Sequence, residues 1–158
     1  MAVHGNFGLV LPDIRSCHNV GALFRTADAC GVDFLYLTGY TATPPKPQID
    51  KVALGAEKWM PWKHYKNTLR LVTSLKAKGV KIVALEKNEH SVDLGTVKFS
   101  GPMALVVGNE VDGVDPRILA LADIVVHIPM YGKKESLNVS VAAGIAMYEI
   151  SKHLCYTK

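Results

Sequence analysis

Apolar residues follow two rhythms along this chain. The runs "FGLVL", "DFLYLTG", "VKIVAL", "PMALVVG" and "DIVVHIPM" are apolar almost throughout instead of at alternate positions, as expected of strands covered on both faces of a parallel sheet. Between them the period lengthens. In "NVGALFRTADAC" the residues Val20, Leu23, Phe24 and Ala27 recur at helical spacing until Gly31 stops them, and "TLRLVTSLKAK" has Asn67 as a cap and Gly79 as its stop. Asp115 and Pro116 open a short helix over "DPRILALA", and residues 138–154 read as a closing helix. Strands alternating with helices predict an α/β fold, a parallel sheet with helices on both faces.

The stretch "YTATPPKPQIDKVALGAEKWMPW" is rich in proline and glycine. It reads as a long excursion carrying one helical turn, ending near Trp62, and loops of that length are usually functional. No repeat or linker divides the 158 residues, so one compact domain over 1–158 is expected.

Composition adds less. No apolar run approaches the ~18 residues that span a bilayer, and "MAVHGNFGLVLPD" lacks the features of a leader, which predicts a cytoplasmic protein without a membrane partner. Cys17, Cys30 and Cys155 are odd in number and widely spaced, the pattern of reduced thiols rather than of disulfides or a zinc site. The net charge of +4 is uneven: residues 46–87 hold ten Lys and Arg against three carboxylates, a net +7, and the remainder carries −3. That basic middle contains Trp59, Trp62 and Tyr65, and lysines with aromatics suit a polyanion that offers flat bases. A solvated lysine-rich face accounts for the same count.

Ligands of parallel α/β sheets sit beyond the carboxyl ends of the strands. Here those ends are polar: "EKNEH", "NEVDG" and "MYGKKESLN". No dinucleotide or triphosphate glycine loop occurs, nor H-E-x-x-H, C-x-x-C or G-x-S-x-G. A nucleoside without phosphates would instead need main-chain groups in tight loops, and Gly108, Gly113 and Gly132 permit close approach. In "YGKKESLNVSVAAG" either Ser136 or Asn138 can cap the last helix, and Glu135 suits its dipole. One cap is an ordinary structural need; Lys133, Lys134 and the second capping side chain are surplus to it. The small residues of "VSVAAGIAM" predict a helix packed on most sides, with a rigid, buried start.

Three stretches together, "NVGALFRTADACGV", "LVVGNEVDG" and "IPMYGKKESLNVSVAAG", resemble the signature motifs of the SpoU-type (TrmH-like) branch of the SPOUT methyltransferases. The resemblance covers about residues 7–154. It implies a C-terminal deep trefoil knot in the parallel sheet domain, a homodimer, and methylation of a ribose 2′-hydroxyl in tRNA or rRNA by S-adenosyl-L-methionine without a metal. Many members carry an added RNA-binding region; this chain departs from them, with no separate RNA-binding extension expected, so the catalytic domain would recognise RNA by itself or with a partner. A non-catalytic knotted RNA-binding or assembly module is the alternative.

Carried over by position, Leu85, Gly108, Ile128, Ser136, Leu137 and Asn138 would hold the cofactor. Asn19, Arg25, Glu110, Ser136 and Asn138 would form the catalytic set. Arg15, Arg25, Lys63, Lys66, Arg70, Lys133 and Lys134 would meet RNA. The resemblance offers Arg25 as a general base, whereas a cationic Arg25 clamping phosphate is cheaper energetically. Pairing with Asp28 is its ordinary structural role.

Overall fold

The computed structural model describes residues 5–155, with Cys155 described in its backbone only. The expectations for the opening residues 1–4 and for the Cys155 thiol lie outside the described part. Seven strands form one parallel sheet in the order β3-β2-β1-β6-β4-β7-β5. They are β1 (Phe7–Pro12), β2 (Phe34–Thr38), β3 (Trp62–Tyr65), β4 (Lys81–Leu85), β5 (Val92–Asp93), β6 (Met103–Val106) and β7 (Ile124–His127). The central strands β1, β2 and β6 are buried at every position, which is why they read as unbroken apolar runs.

Alternate side chains feed two cores. Leu9, Leu11, Leu35 and Leu105 pack with α1 (Cys17–Ala29), α2 (Pro47–Ala53), α3 (Ala56–Trp59) and α6 (Val139–Cys155) on one face. Val10, Tyr36, Ile82 and Val106 pack with α4 (Thr68–Ala77) and α5 (Pro116–Leu121) on the other. The helix starts follow the sequence signals: Asn67 accepts from the Arg70 amide at 2.8 Å, and Asp115 accepts from the Arg117 amide at 2.8 Å with Pro116 in the first turn.

Three expectations need correction. The proline-rich excursion carries two helices, not one turn, and ends in the edge strand β3. Pro47 stands in the first turn of α2, where its missing N–H costs nothing, while Leu54 and Gly55, both at positive φ, separate α2 from α3. The two-residue strand β5 is too short to leave a pattern. Finally, α6 is not packed on most sides: Ala143, Ala146, Met147 and Ile150 are fully buried, but Val141 is 50%, Ile145 43% and Tyr148 65% exposed. Among the described residues, only one face of that helix is covered.

Helices α1 and α6 lie side by side and run in the same direction. Asn138 bonds to Asn19, a Cβ on Gly144 would stand 3.3 Å from the Thr26 methyl, and Ser151 donates to the Cys30 carbonyl at 2.6 Å. Both N-termini therefore point at the rim formed by the carboxyl ends of the strands. No described helix is long and apolar enough to cross a membrane.

Candidate active site

A cleft of about 510 Å³ opens on that rim beyond β4, β6 and β7, against the start of α6. Its apolar wall includes Leu85, Val107, Ile128, Leu137 and Ala142, and its polar lining includes Glu86, Glu110 and Glu135. All six positions expected to hold the cofactor line it: Leu85, Gly108, Ile128, Ser136, Leu137 and Asn138.

The floor at Gly108 is main chain. A Cβ there would overlap the Gly113 carbonyl carbon and lie 2.6 Å from Gly113 Cα and 2.7 Å from the Val114 nitrogen. The loop that forces this contact is closed by a two-way amide pairing of Asn109 with Gly113 at 3.3 Å. Asn109 Oδ1 also accepts from the amides of Val111 and Asp112 at 2.9 and 2.6 Å. From the neighbouring strand end, Glu86 accepts from the Val114 amide at 2.9 Å. Gly132 differs from the expectation, because a Cβ there would meet nothing within 4 Å.

Beside the cleft a network joins residues far apart in sequence. The Glu110 carboxylate accepts from the amides of Arg15 (3.0 Å) and Ser16 (3.2 Å) and from Asn19 Nδ2 (3.0 Å). These backbone donors lie just before α1, where amides lack helical partners and the dipole favours an anion. Ser16, not Asn19, caps α1, accepting from the Asn19 amide at 3.2 Å. Asn19 is thereby free to receive Asn138 Nδ2 at 3.2 Å. Asn138 caps α6, its Oδ1 accepting from the Ser140 amide at 2.9 Å and hydroxyl at 2.6 Å. Of the two expected capping candidates, Ser136 is the one left over, an exposed hydroxyl on the cleft with no hydrogen bond among the described residues. The whole segment 131–138 is exposed, so the start of α6 is held by hydrogen bonds instead of by burial.

Partial burial pushes the Glu110 carboxyl up, but hydrogen bonds from the Arg15 amide, Asn19 and the Ser16 amide outweigh it and leave the pKa below its ordinary 4.5. A depressed carboxylate adds stability above its ordinary range and loses it as pH falls through the folded value. Glu110→Gln is therefore expected to lower Tm at neutral pH by roughly 2–4 °C, from about 1 kcal/mol for the charged bonds. The gap should narrow on acidification below pH ~4.5. Thermal unfolding across pH tests this; a gap constant with pH would show that the charge is immaterial.

Other expected residues lie outside the cleft. Arg25 is exposed on α1, and its guanidinium has no partner among the described residues; Asp28, its expected mate, instead accepts from Trp59 Nε1 at 3.0 Å. Lys63, Lys66 and Arg70 are exposed on and after the edge strand β3, and Lys133 and Lys134 are exposed in the segment leading to α6. Arg15 is exposed; hydrogen-bonded to Tyr40 and facing Asp112 and Glu110, its guanidinium is held above the ordinary arginine range.

Sequence reading did not single out Glu86 or His127. Glu86 opens the polar stretch "EKNEH" already marked by its place after a strand. His127 lines the cleft with Nδ1 at 2.9 Å from Ser91 Oγ, and its partner sits on a loop that no motif marks.

Residues 6–148 match the SpoU rRNA Methylase family. The chain belongs to that family. Among curated SpoU relatives, the tRNA (guanosine(18)-2′-O)-methyltransferase of Aquifex aeolicus (strain VF5) is 40% identical over 141 residues, covering 89% of this chain and 66% of the relative. The 23S rRNA (guanosine-2′-O-)-methyltransferase RlmB of Vibrio parahaemolyticus is 36% identical over 141 residues, covering 89% and 57%. The crystal structure of the SpoU methyltransferase AviRb of Streptomyces viridochromogenes, in complex with the cofactor AdoMet, superposes with a TM-score of 0.87 at 26% identity, covering 98% of this chain and 63% of that one. The chain thus spans less than two thirds of the length of each of these SpoU proteins.

Proposed function

We propose that this chain transfers a methyl group from S-adenosyl-L-methionine to a ribose 2′-hydroxyl in tRNA or rRNA. One observation carries the reading: a cleft walled by the main chain of Gly108 and Gly113 abuts the hydrogen-bonded set Glu110–Asn19–Asn138. The donor set suits that cofactor. A volume of about 510 Å³ lies in the range of small-molecule sites. Apolar Leu85, Ile128 and Leu137 offer walls to a nucleoside, while Glu86 and Glu135 are acceptors for a cation. When bound, the cofactor supplies a methyl group on a positively charged sulfur.

The residues divide the remaining work. Glu110 and Asn19 are positioning residues: their hydrogen-bonding atoms are spent tying the β6 loop, α1 and α6 together, which fixes the cleft relative to the rim. Ser136 keeps a free hydroxyl toward the cleft, available to orient the incoming ribose. Arg25, unpaired and cationic, clamps the phosphate beside that ribose and stabilises charge growing on its oxygen. Holding the ribose oxygen in line with the methyl supplies much of the acceleration; as the O–C bond forms and the S–C bond breaks, the hydroxyl proton leaves to solvent at the exposed rim.

Support for the knot comes from the path of the chain: after β7, which lies between β4 and β5, residues 128–138 run along the rim beside the loops after β4 and β6 before α6 packs against α1. Support for the homodimer comes from the stripe Val141, Ile145 and Tyr148, all 43% exposed or more and spaced to fall on one face of α6. Val141→Asp with Ile145→Asp is expected to convert a dimer to monomer in sedimentation velocity; a wild-type monomer would refute the dimer.

The net charge of +7 over residues 46–87 supports RNA contact through β3 and α4. Reversing Lys63, Lys66 and Arg70 to glutamate is expected to weaken RNA binding at least 10-fold at near-physiological salt, from about three lost phosphate contacts. Cofactor affinity should not change, and filter binding with calorimetry tests both; unaltered RNA affinity would remove this face from the footprint. Mapping ribose methylation in total RNA from cells with and without the gene tests the function itself. The reading expects a site that loses its methyl group when the gene is absent, and identical maps would overturn it.

A further inference from the structure

Tyr40 presents an anomaly on the same rim. It follows β2, its side chain is 58% exposed, and yet the turn that carries it is hydrogen-bonded on both sides. The Tyr40 amide donates to Asp13 Oδ1 at 2.9 Å. On one side, the Gly39 amide donates to the Tyr65 carbonyl at 3.0 Å, and the Gly39 carbonyl lies 2.7 Å from His64 Nε2. On the other, Thr41 Oγ1 accepts from the Ile14 amide at 2.8 Å and donates to the Leu11 carbonyl at 2.7 Å. Gly39 is at φ +63°, and a Cβ there would collide with the Asp13 carboxylate, so this turn admits no ordinary residue at 39. A large aromatic ring is thus presented to solvent from a closely hydrogen-bonded turn.

Its surroundings say what the ring is for. The Arg15 guanidinium faces Tyr40, and the Arg15 amide donates to Glu110, the residue that joins the cleft to α1. Because every strand pair in the sheet is parallel, the turns after β1, β2 and β3 share the rim of the cleft. With neighbouring strands about 4.8 Å apart, the end of β2 stands roughly 10 Å from that of β6. Lys66, on the next strand end, is exposed. A rigid aromatic face flanked by cations, one or two strand spacings from the reaction centre, is what an unpaired base stacks on.

We propose that Tyr40, flanked by Arg15, is a stacking platform for an unpaired base next to the methylated ribose. This rests on the RNA-methylation reading, deepening it to a substrate whose target lies in a single-stranded or splayed segment. Stacking is sequence-tolerant and uncharged, whereas Arg15 acts on phosphate, so the two residues should fail differently.

The test is the affinity of the full chain for a fluorescein-labelled oligouridine, measured against salt concentration. Tyr40→Ala is expected to weaken binding about 5- to 150-fold with no change in the slope of log affinity on log salt. Tyr40→Trp and Tyr40→Phe should retain affinity, and Tyr40→Leu should not. Arg15→Gln should make the slope shallower by about 0.7. The proposal fails if the wild type does not bind the oligomer, if Tyr40→Ala binds as tightly as the wild type, if Leu replaces Tyr without loss, or if Tyr40→Ala lowers the slope as Arg15→Gln does, which would make Tyr40 a mere holder of Arg15. Parallel assays of methyl transfer keep the two levels apart. A wild type that methylates RNA while Tyr40→Ala is unaffected sinks the platform alone, and a wild type that binds but methylates nothing sinks the reading beneath it.

Discussion

Arg25→Ala is expected to slow methyl transfer about 100- to 1000-fold under saturating RNA and cofactor, the range seen when one preorganised charge-stabilising donor is removed. Affinity for S-adenosylmethionine should stay as in the wild type, because Arg25 is not among the residues that line the cleft. Its guanidinium is exposed and unpartnered among the described residues, so it is not a structural ion pair, and its loss should leave Tm nearly unchanged. Arginine side chains are effectively always protonated in proteins, so the cation is the form the reaction has to use. The cationic role therefore predicts partial rescue by lysine, which keeps the charge but not the forked donor geometry. Single-turnover rates for Arg25→Ala and Arg25→Lys decide the matter: equal, fully inactive variants would favour proton abstraction, and two fully active ones would remove Arg25 from the mechanism.

The second large effect belongs to a residue with no side chain. Gly108→Ala places a methyl group under 3 Å from the backbone of Gly113 and Val114, and none of those atoms can step aside cheaply. The loop is closed by the Asn109–Gly113 pairing and pinned from β4 by Glu86. Overpacking of this kind costs about 1–3 kcal/mol. Because the strained loop is also the cleft wall, cofactor affinity should fall about 10- to 100-fold in calorimetry. Gly132→Ala is the matched control on the same rim, with open space around its would-be Cβ, and should bind as the wild type does. Equal affinities for both variants would mean that Gly108 does not line the working site.

Much of the frame was legible before any coordinates. Strands with both faces covered must be apolar throughout, and helix ends carry their own chemistry, so the central strands, the Asn67 cap and the Asp115–Pro116 start could be read directly. What could not be read depends on neighbours. Strand β3 lies at the sheet edge with Lys63 exposed, so its pattern is weak. The open face of α6 looks as apolar as its buried face, and nothing local says which one its own chain covers. The cleft positions came from motif resemblance, and the structure gathers Leu85, Gly108, Ile128, Leu137 and Asn138 around one space. The commitment of Glu110 to amides 94 and 95 residues away is a long-range fact with no local signature, and so is the clamping of Tyr40 between the ends of β1 and β3.

The most direct test of the central claim is nucleoside mass spectrometry of RNA, taken from cells lacking the gene, after incubation with purified protein and S-adenosylmethionine carrying a deuterated methyl group. The account predicts a single 2′-O-methylnucleoside gaining the heavy methyl with wild-type protein and little or none with Arg25→Ala. A heavy methyl found only on bases, or found nowhere despite bound cofactor, would contradict it.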